Sequence, residues 1–410
     1  MSNSILPQQE RTGVGLHDGA AAATVDAVAV ESTEAAVPTE FDLHGFVGIR
    51  LVDADPADAR AVGRQLGPIA GTLDREPDIT IRFVDEIPTS STLNYLGVGE
   101  AAFTDSDFLV LRAKHKARAR VRIPFEAIGG RCEIVCEKGV PAVPLLIAIV
   151  NLTALAKGVL PLHASAFNYE GVGVLATGWS KGGKTESLLA FMARGASYVG
   201  DEWVYLSPGG EMMHGIPEPI RVWDWHLGYL PEYRALVGRA ARARLGTVRL
   251  VESVDRAMAE NGHGRRLAAR TLRRAMPIVK KQGCVDMRPH ELFGEDSCAL
   301  SGSLDKVFFV ASHASADVTV TPVNPRDVAD RMVFSLEEER SDFMSYYRSF
   351  RFAFPEAANE LIDGTEELQR ELVRKAFADK EAYALHHPYP VALPALFDAM
   401  KRYCEPGGSC

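Results

Sequence analysis

The sequence has few cysteines, no long apolar run and no excess of positive charge. Six cysteines are spread over 410 residues, and no two pairs of them have the spacing of a zinc site, which predicts free thiols in a reducing cytoplasm. No stretch of about 18 consecutive apolar residues occurs, which argues against a membrane-spanning helix. The N-terminus lacks the basic start and apolar core of a secretory signal. The net charge of −9 argues against general binding to nucleic acids.

What the chain does contain is the composition of a globular protein, with 47% hydrophobic and 24% charged residues. Residues 1–40 are rich in Ala, Ser, Thr and Glu without a period, and are predicted to form a disordered tail. Residues 41–158 are predicted to form a small mixed α/β N-terminal domain that ends in a buried helix at 143–158. Its strand-like runs lie at 46–54, 79–84, 107–112, 119–124 and 132–137.

Residues 159–404 are predicted to form a second domain, and its first feature is a hairpin. The apolar runs 161–169 and 171–178 meet at Glu170-Gly171, which predicts a β-hairpin that pairs Tyr169 with Val172. Continued along the strands, this register places His163 opposite Gly178. His163 can then contact a phosphate or steer a proton there, or serve only the structure of the hairpin.

The segment 178–185, GWSKGGKT, has the form G-x-x-x-x-G-K-[ST] of a phosphate-binding loop, with a predicted strand before it and a predicted helix after it. Glycines let backbone N–H groups turn inward around phosphate oxygens, and the helix adds the positive end of its dipole. Lys184 would reach the β- and γ-phosphates of a nucleotide, and Thr185 would offer its hydroxyl to Mg²⁺. The predicted nucleotide-binding residues are Gly178, Trp179, Ser180, Lys181, Gly182, Gly183, Lys184, Thr185 and Glu186.

Two adjacent acids, Asp201 and Glu202, follow the loop after a predicted helix at 184–195 and within a return strand at 197–206. This path brings a carboxylate back beside the loop, where it can hold Mg²⁺ or accept the proton of an attacking hydroxyl. The alternative is a polar turn that faces solvent. The apolar residues on both sides of the pair favour burial, and therefore a functional role.

The remainder of the second domain contains a basic insertion and further elements without a chemical motif. Residues 234–281 are rich in Arg and Lys and mostly helical in pattern; they are either simply solvated, or a cover for bound phosphates or a dock for an acidic partner. Strands are predicted at 284–294 and 304–312. Residues 326–404 are predicted to be mainly helical, with a break at 386–390.

As a set, His163, GWSKGGKTE (178–186) and Gly200-Asp201-Glu202 resemble the catalytic domain of HPr kinase/phosphorylase and, more closely, the HPr-kinase-related bacterial proteins. The resemblance is strong over 162–225, and Glu186 after the loop is part of it. It implies an α/β fold: an HPr-kinase-like P-loop core, here with the small N-terminal domain and a helical C-terminal part. It also implies that Asp201 is the catalytic carboxylate, that His163 and Lys184 act at the γ-phosphate, and that Thr185 and Glu202 serve Mg²⁺.

Two departures from the family pattern leave the acceptor open. The second acid is Glu202 rather than Asp, and PEPIRVW (217–223) stands where the family has a glycine-rich signature, which makes Glu218 and Arg221 candidates for metal or substrate contacts. We expect a cytoplasmic, ATP- and Mg²⁺-dependent kinase that acts on a hydroxyl of a protein, a peptide or a small alcohol. The resemblance further implies self-association. The alternatives are a non-catalytic ATP-binding or sensing module and a P-loop ATP hydrolase.

Overall fold

Two large sheets organise the part of the chain that the computed structural model describes. That part comprises residues 39–67, 69–89, 91–97, 99–112, 117–260 and 267–405, and the side chains of 259–260 and 267–273 are not described. The protein is a mixed α/β protein, with an eight-stranded sheet, a nine-stranded sheet, a two-stranded sheet and helices. The predicted tail lies outside the described residues up to residue 38, and the first strand begins at Glu40.

The eight-stranded sheet is built from the N-terminal strands in the order β1-β2-β3-β8-β7-β6-β5-β4. The elements of this region are β1 (Glu40–Leu43), β2 (Val47–Val52), α1 (Pro56–Leu66), β3 (Ile79–Val84), β4 (Asn94–Leu96), β5 (Ala101–Phe103), β6 (Phe108–Arg112), β7 (Arg118–Arg122), a 3₁₀ turn (Phe125–Ala127), β8 (Cys132–Glu137) and α2 (Leu146–Ala156). β3 is parallel to both β2 and β8, and the other neighbours are antiparallel. Helix α1 begins where the Asp55 side chain accepts hydrogen bonds from two backbone N–H groups and Pro56 takes the first helical position.

The nine-stranded sheet follows α2 in sequence, and its strands flank the segment 178–185. Up to the basic insertion the elements are β9 (Leu160–Tyr169), β10 (Val172–Thr177), α3 (Lys184–Met192), β11 (Ser197–Gly200), β12 (Trp203–Leu206), β13 (Met212–Gly215), β14 (Ile220–Trp223), α4 (His226–Tyr229) and α5 (Pro231–Leu236). The insertion itself contains α6 (Arg239–Glu260) and α7 (Leu267–Lys281). With the later strands β16 (Ser301–Ser303), β17 (Lys306–Ser312), β18 (Thr319–Val323) and β19 (Glu381–His387), the sheet order is β16-β13-β12-β9-β10-β17-β19-β18, and β11 also pairs with β9. The small sheet consists of β14 and β15 (Cys284–Met287).

The last part of the chain supplies the other strands of these sheets and most of the helices behind them. Its elements are β15 (Cys284–Met287), α8 (Pro289–Phe293), a 3₁₀ turn (Glu295–Ser297), β16 (Ser301–Ser303), β17 (Lys306–Ser312), β18 (Thr319–Val323), α9 (Pro325–Glu339), α10 (Ser341–Ala353), α11 (Glu360–Asp363), α12 (Thr365–Phe377), β19 (Glu381–His387), α13 (Leu393–Met400) and a final 3₁₀ turn (Lys401–Tyr403). No helix among the described residues is long and apolar enough to cross a lipid bilayer.

The hairpin of β9 and β10 has the predicted register. Tyr169 pairs with Val172, and the ladder ends where Ala164 pairs with Thr177. The turn residues Glu170 and Gly171 have φ values of 49° and 84°, as a two-residue type I′ turn requires. The register prediction is therefore confirmed, and it places His163 one residue beyond the last pair, level with the start of the loop.

Two predictions of secondary structure are wrong and a third is incomplete. Residues 326–404 are mainly helical, as predicted, but they also contain β19, which is buried and pairs in parallel with β17. Segment 284–294 is a strand only as far as Met287, since Pro289 begins α8. Segment 197–206 is two strands rather than one, because Glu202 has a φ of 68° and turns the chain between β11 and β12. In each case tertiary pairing or a local turn overrides the pattern of apolar residues.

Helix α10 returns from the C-terminal region to cover the eight-stranded sheet. Its buried side chains Phe343, Tyr347 and Phe350 share one apolar cluster with Phe108 and Phe125 of the N-terminal region. The residues on both sides of α2 lie in one compact unit. The domain boundary near residue 158 stays a prediction.

Candidate active site

The loop of residues 178–185 connects the buried strand β10 to the first turn of α3, and its path depends on glycine. Gly178 has a φ of 153° and Gly183, which precedes α3, has a φ of 110°. A Cβ atom on Gly178 would collide with the carbonyl oxygen of Val310 in β17, and one on Gly183 would overlap the imidazole of His387. The loop is thus pressed against two parallel strands of the sheet. Its exposed part is the tip, where Trp179, Ser180 and Lys181 face solvent.

His387, at the end of β19, packs against the loop at Gly182 and Gly183 and was not anticipated from the sequence. Its side chain is fully buried, and its Nε2 atom lies 2.9 Å from the carbonyl oxygen of Gly182. Its Nδ1 atom lies 2.7 Å from the carbonyl oxygen of Pro388. The sequence marked this position only as a break between helices, because the parallel pairing of β19 with β17 is not visible in a local pattern.

Lys184 begins α3 and lies folded against the loop. Its side chain is buried, and its Nζ donates hydrogen bonds to the carbonyl oxygens of Gly178 at 3.3 Å and Trp179 at 3.1 Å. Burial lowers the pKa of Lys184, and the carboxylates of Glu202 and Asp201 oppose that shift. The ammonium group therefore sits where the loop and the acidic pair approach one another.

Asp201 lies beside Thr185, as the predicted path of the chain requires. The hydroxyl of Thr185 donates to the carboxylate, with Oγ1 at 3.1 Å from Oδ2, and the hydroxyl of Ser165 in β9 donates to Oδ1. Burial raises the pKa of Asp201 to about 7, the Glu202 carboxylate adds to the rise, and the hydrogen bonds from Ser165 and Thr185 oppose it. Asp201 is therefore a carboxylate that exchanges a proton near neutral pH. Ser165 was not identified from the sequence.

Glu202 contacts His163 and, unlike Asp201, is exposed, so the predicted burial of the acidic pair holds for Asp201 and is wrong for Glu202. The Glu202 Oε2 atom lies 3.0 Å from His163 Nε2, and the other ring nitrogen of His163 contacts Glu339 at the end of α9. Burial opposes protonation of His163, but the hydrogen bonds to Glu202 and Glu339 prevail and raise its pKa to about 9. The hydrogen bond from His163 in turn lowers the pKa of Glu202. His163 thus links Glu202 to Glu339, and Glu339 was not identified from the sequence.

Glu186 is buried behind the loop rather than exposed to it. Its Oε1 atom lies 3.2 Å from Nε2 of His226, whose Nδ1 accepts a hydrogen bond from the backbone N–H of Trp223. Because Nδ1 of His226 accepts a hydrogen bond, the ring proton lies on Nε2, and Nε2 donates a hydrogen bond to Glu186. Burial is the largest single influence and opposes the charge of Glu186, but the hydrogen bond from His226 and the other favourable interactions together outweigh it and lower the pKa of Glu186. The hydrogen bond between His226 and Glu186 thus links α4 to α3.

The other predicted contacts, Glu218 and Arg221, lie in a large cleft on the far side of Glu202. Arg221 Nε donates to Asp286 at 3.1 Å across the β14–β15 pair. Glu202, Glu218 and Arg221 all line this cleft, whereas no residue of 178–186 does. Within the described ranges, no group of three or more His, Cys, Asp or Glu side chains is arranged to hold a metal ion.

No protein-family model matches this chain, and no curated protein matches it. Among solved structures, the chain is similar to that of the Hpr(Ser) kinase/phosphatase from Coxiella burnetii. The match has 14% sequence identity and a TM-score of 0.21, and covers 47% of this chain and 97% of that chain. These values are too low for the likeness to carry an argument, so the function is argued from the site.

Proposed function

We propose that this protein is an ATP-dependent phosphotransferase that moves the γ-phosphoryl group of ATP to the hydroxyl of an acceptor. The observation that carries the proposal is the convergence of three groups where the loop enters α3: the Lys184 ammonium, the Thr185 hydroxyl and the Asp201 carboxylate, 3.1 Å from Thr185. A glycine-rich loop followed by a helix N-terminus is an anion site suited to nucleotide phosphates. We assign the predicted residues 178–185 to that role, with Lys184 at the β- and γ-phosphates.

The Thr185 hydroxyl fits a magnesium ion as a direct ligand, and the Asp201 carboxylate beside it can reach the ion through a bound water. Mg²⁺ prefers hard oxygen ligands, and in nucleotide sites it takes only one or two of them from the protein, because phosphates and water supply the rest. When bound, the ion would neutralise charge that develops on the transferred phosphoryl group. We assign Thr185 as its first ligand and Asp201 as the acid nearest to it. Glu202 is engaged by His163 at 3.0 Å, so its predicted role at the metal would require that contact to open.

Asp201 is proposed as the group that takes the proton from the acceptor. The acceptor oxygen bonds to the γ-phosphorus, the bond from that phosphorus to the bridging oxygen breaks, ADP leaves, and the hydroxyl proton passes to Asp201. A base of this kind works best when its pKa is near the working pH, and burial gives Asp201 a pKa of about 7. Lys184 offsets negative charge on the phosphates.

His163 is proposed as a positioning residue rather than as the base. Its pKa of about 9 keeps it protonated at neutral pH, so it donates to carboxylates and does not accept a proton from the acceptor. It holds Glu202 in place, and its positive charge adds to that of Lys184 next to the phosphates.

The proposal is tested by comparing the wild type with Asp201→Asn. Transfer of label from γ-labelled ATP would be measured to glycerol, free serine and a mixture of serine peptides, and ATP affinity by calorimetry. We expect the variant to lose transfer by about a thousandfold or more, since it keeps the shape of the side chain but lacks the base. ATP affinity should change little. Asp296→Asn, at an exposed position, controls for the loss of one charge.

The outcomes separate the alternatives. Transfer by Asp201→Asn at the wild-type rate would refute the assigned base. Wild-type protein that retains ATP and labels no acceptor would instead be a sensing module. Rapid release of phosphate, independent of any added acceptor, would identify an ATP hydrolase.

A further inference from the structure

A cleft of about 1600 Å³ borders the acidic pair, and nothing above assigns it a ligand. Its walls come from both regions of the chain: α1 and the end of β4 on one side, the β14–β15 strands on another, and α10 on a third. Glu202 and Trp203 close it next to the candidate active site. We call it the acceptor cleft.

The acceptor cleft and the phosphate loop lie on different sides of the acidic pair. Asp201 contacts Thr185 of the loop, while the next residue, Glu202, lines the cleft. The turn at Glu202, with its φ of 68°, lets the two consecutive side chains serve these different neighbours. In-line phosphoryl transfer requires the attacking oxygen and the leaving oxygen on opposite sides of the phosphorus. The cleft is the space beside the acidic pair that Glu202 lines and that no residue of the phosphate loop lines.

The size of the cleft exceeds what a small alcohol needs. Sites for small molecules usually measure about 300–1,000 Å³ and enclose most of their ligand. This cleft is larger and open. It also borders a free strand edge, because β4 ends the eight-stranded sheet and, within the described residues, pairs only with β5. Leu96 and Gly97 at the end of β4 line the cleft. An edge strand beside a groove is a recurring way to bind an extended peptide.

The cleft is lined by side chains of both charges, and its α1 wall is basic. Arg60 and Arg64 lie one turn apart on α1, both are exposed, and both line the cleft. Neither makes a side-chain hydrogen bond or an ion pair in the part of the chain that the structure describes. Asp342 and Ser345 on α10 face the same space from another wall. The arginines would favour a ligand with acidic side chains near that wall.

We propose that this cleft binds the phosphoryl acceptor, and that the acceptor is a polypeptide segment with acidic residues near its target hydroxyl, bound in extended form beside β4. This rests on the proposed phosphotransfer. The segment would lie between α1 and α10 and present its Ser or Thr side chain past Glu202 to Asp201. The N-terminal region thereby becomes the part of the molecule that selects the acceptor.

The test blocks the cleft in the full-length protein. Ser345→Trp would fill it from α10, and Ser341→Trp is the matched control, since Ser341 is exposed on the same helix but does not line the cleft. The probe is a mixture of synthetic peptides with one central serine and randomised flanks, with γ-labelled ATP. We expect Ser345→Trp to lower kcat/KM for the mixture by about tenfold or more. Ser341→Trp should match the wild type, and ATP affinity should be equal in all three proteins.

A charge reversal tests the acidic preference. Arg64→Glu should lower labelling of peptides with Asp or Glu beside the serine by about tenfold at low salt. Arg131→Glu changes the net charge equally, at an exposed position outside the cleft, and should leave the preference intact. Equal preferences in the two variants would overturn the assignment of acidic residues to the α1 wall.

Other results overturn the inference as a whole. If Ser345→Trp labels peptides as well as Ser341→Trp does, the acceptor does not use the cleft. If the wild type labels glycerol or free serine but no peptide, the inference fails while the proposed phosphotransfer stands. If the wild type labels no acceptor of any kind, the proposed function fails, and the inference fails with it.

Discussion

Asp201 and His163 are two neighbouring titratable residues whose charges are set by what surrounds them. Burial raises the pKa of Asp201 to about 7, whereas two carboxylate partners raise the pKa of His163 to about 9 in spite of burial. Asp201 therefore titrates near neutral pH, whereas the neighbouring His163 stays protonated there. This arrangement separates proton transfer, which needs a group with a pKa near the working pH, from charge stabilisation, which needs a permanent charge.

The first prediction at this scale concerns the pH dependence of transfer. Only the ionised form of Asp201 can accept a proton, so the rate should rise as the pH passes through about 7 and level off above it. The measurement is kcat between pH 5.5 and 8.5 with saturating ATP. A flat profile over this range would show that proton transfer to Asp201 does not limit the reaction.

The second prediction concerns stability. Because the folded-state pKa of Asp201 is raised from 3.8 to about 7, its contribution to stability is fully present below about pH 3.8 and is lost as the pH rises through 7. Asp201→Asn has no charge to bury. At pH 8 its free energy of unfolding should therefore exceed that of the wild type by about 2 kcal/mol, and at pH 5 this difference should be smaller. Denaturant unfolding at the two pH values measures this, with Asp296→Asn as the control.

At the scale of elements, the loop, β17 and β19 act as one unit. Gly178 packs against the backbone of β17, and Gly183 packs against His387 of β19. The two strands pair in parallel along seven residues, so the loop packs against a continuous part of the sheet. A loop held in place by such packing loses little conformational entropy when it binds phosphate.

Gly183→Ala should disrupt this unit. The substitution combines a positive φ of 110° with a Cβ that overlaps His387, so we expect a loss of ATP affinity of about tenfold or more and a lower unfolding temperature. Gly171→Ala is the matched control. It has a φ of 84° but no atom within 4 Å of the new Cβ, so it should cost only about 1 kcal/mol of stability and leave ATP affinity unchanged. Equal effects of the two substitutions would contradict the role given to His387.

At the scale of the whole molecule, the C-terminal region holds the eight-stranded sheet to the rest of the chain. The aromatic residues of α10 fill the core of that sheet, and Asn359, just before α11, bonds to its loops. The Asn359 Nδ2 donates to the carbonyl oxygens of Phe125 and Ile128, each at 2.8 Å, while its Oδ1 caps α11. The walls of the acceptor cleft depend on the same packing, since α10 forms one of them.

Asn359→Ala should therefore destabilise the molecule more than an ordinary capping mutation. It leaves buried carbonyls without their donor, and we expect a loss of about 2–4 kcal/mol in the free energy of unfolding. Asn324→Ala removes a cap from α9, where the Asn324 side chain accepts one hydrogen bond among the described residues, from the N–H of Arg326, and should cost about 1 kcal/mol. Chemical denaturation of both variants compares the two losses. Similar losses would show that Asn359 does not join the two regions.

Much of the candidate site was predictable because its determinants are local. The spacing of glycines, Lys184 and Thr185 predicts the loop, and the turn at Glu170-Gly171 predicts the hairpin register that the structure confirms. The short path from the loop through α3 to Asp201 limits where that carboxylate can go. It predicts the approach of Asp201 to Thr185, which the structure has at 3.1 Å.

The sequence by itself thus determined the strand–loop–helix segment and the order of its polar residues, since neighbours along the chain are constrained by turn geometry and a few torsion angles. Only the tertiary structure decided which distant groups meet them. His387 under the loop, Glu339 at His163 and the cleft walls from α1 and α10 come from parts of the chain far apart in sequence. They come together because strands pair and apolar faces are buried across the whole molecule, and no local pattern records such pairings.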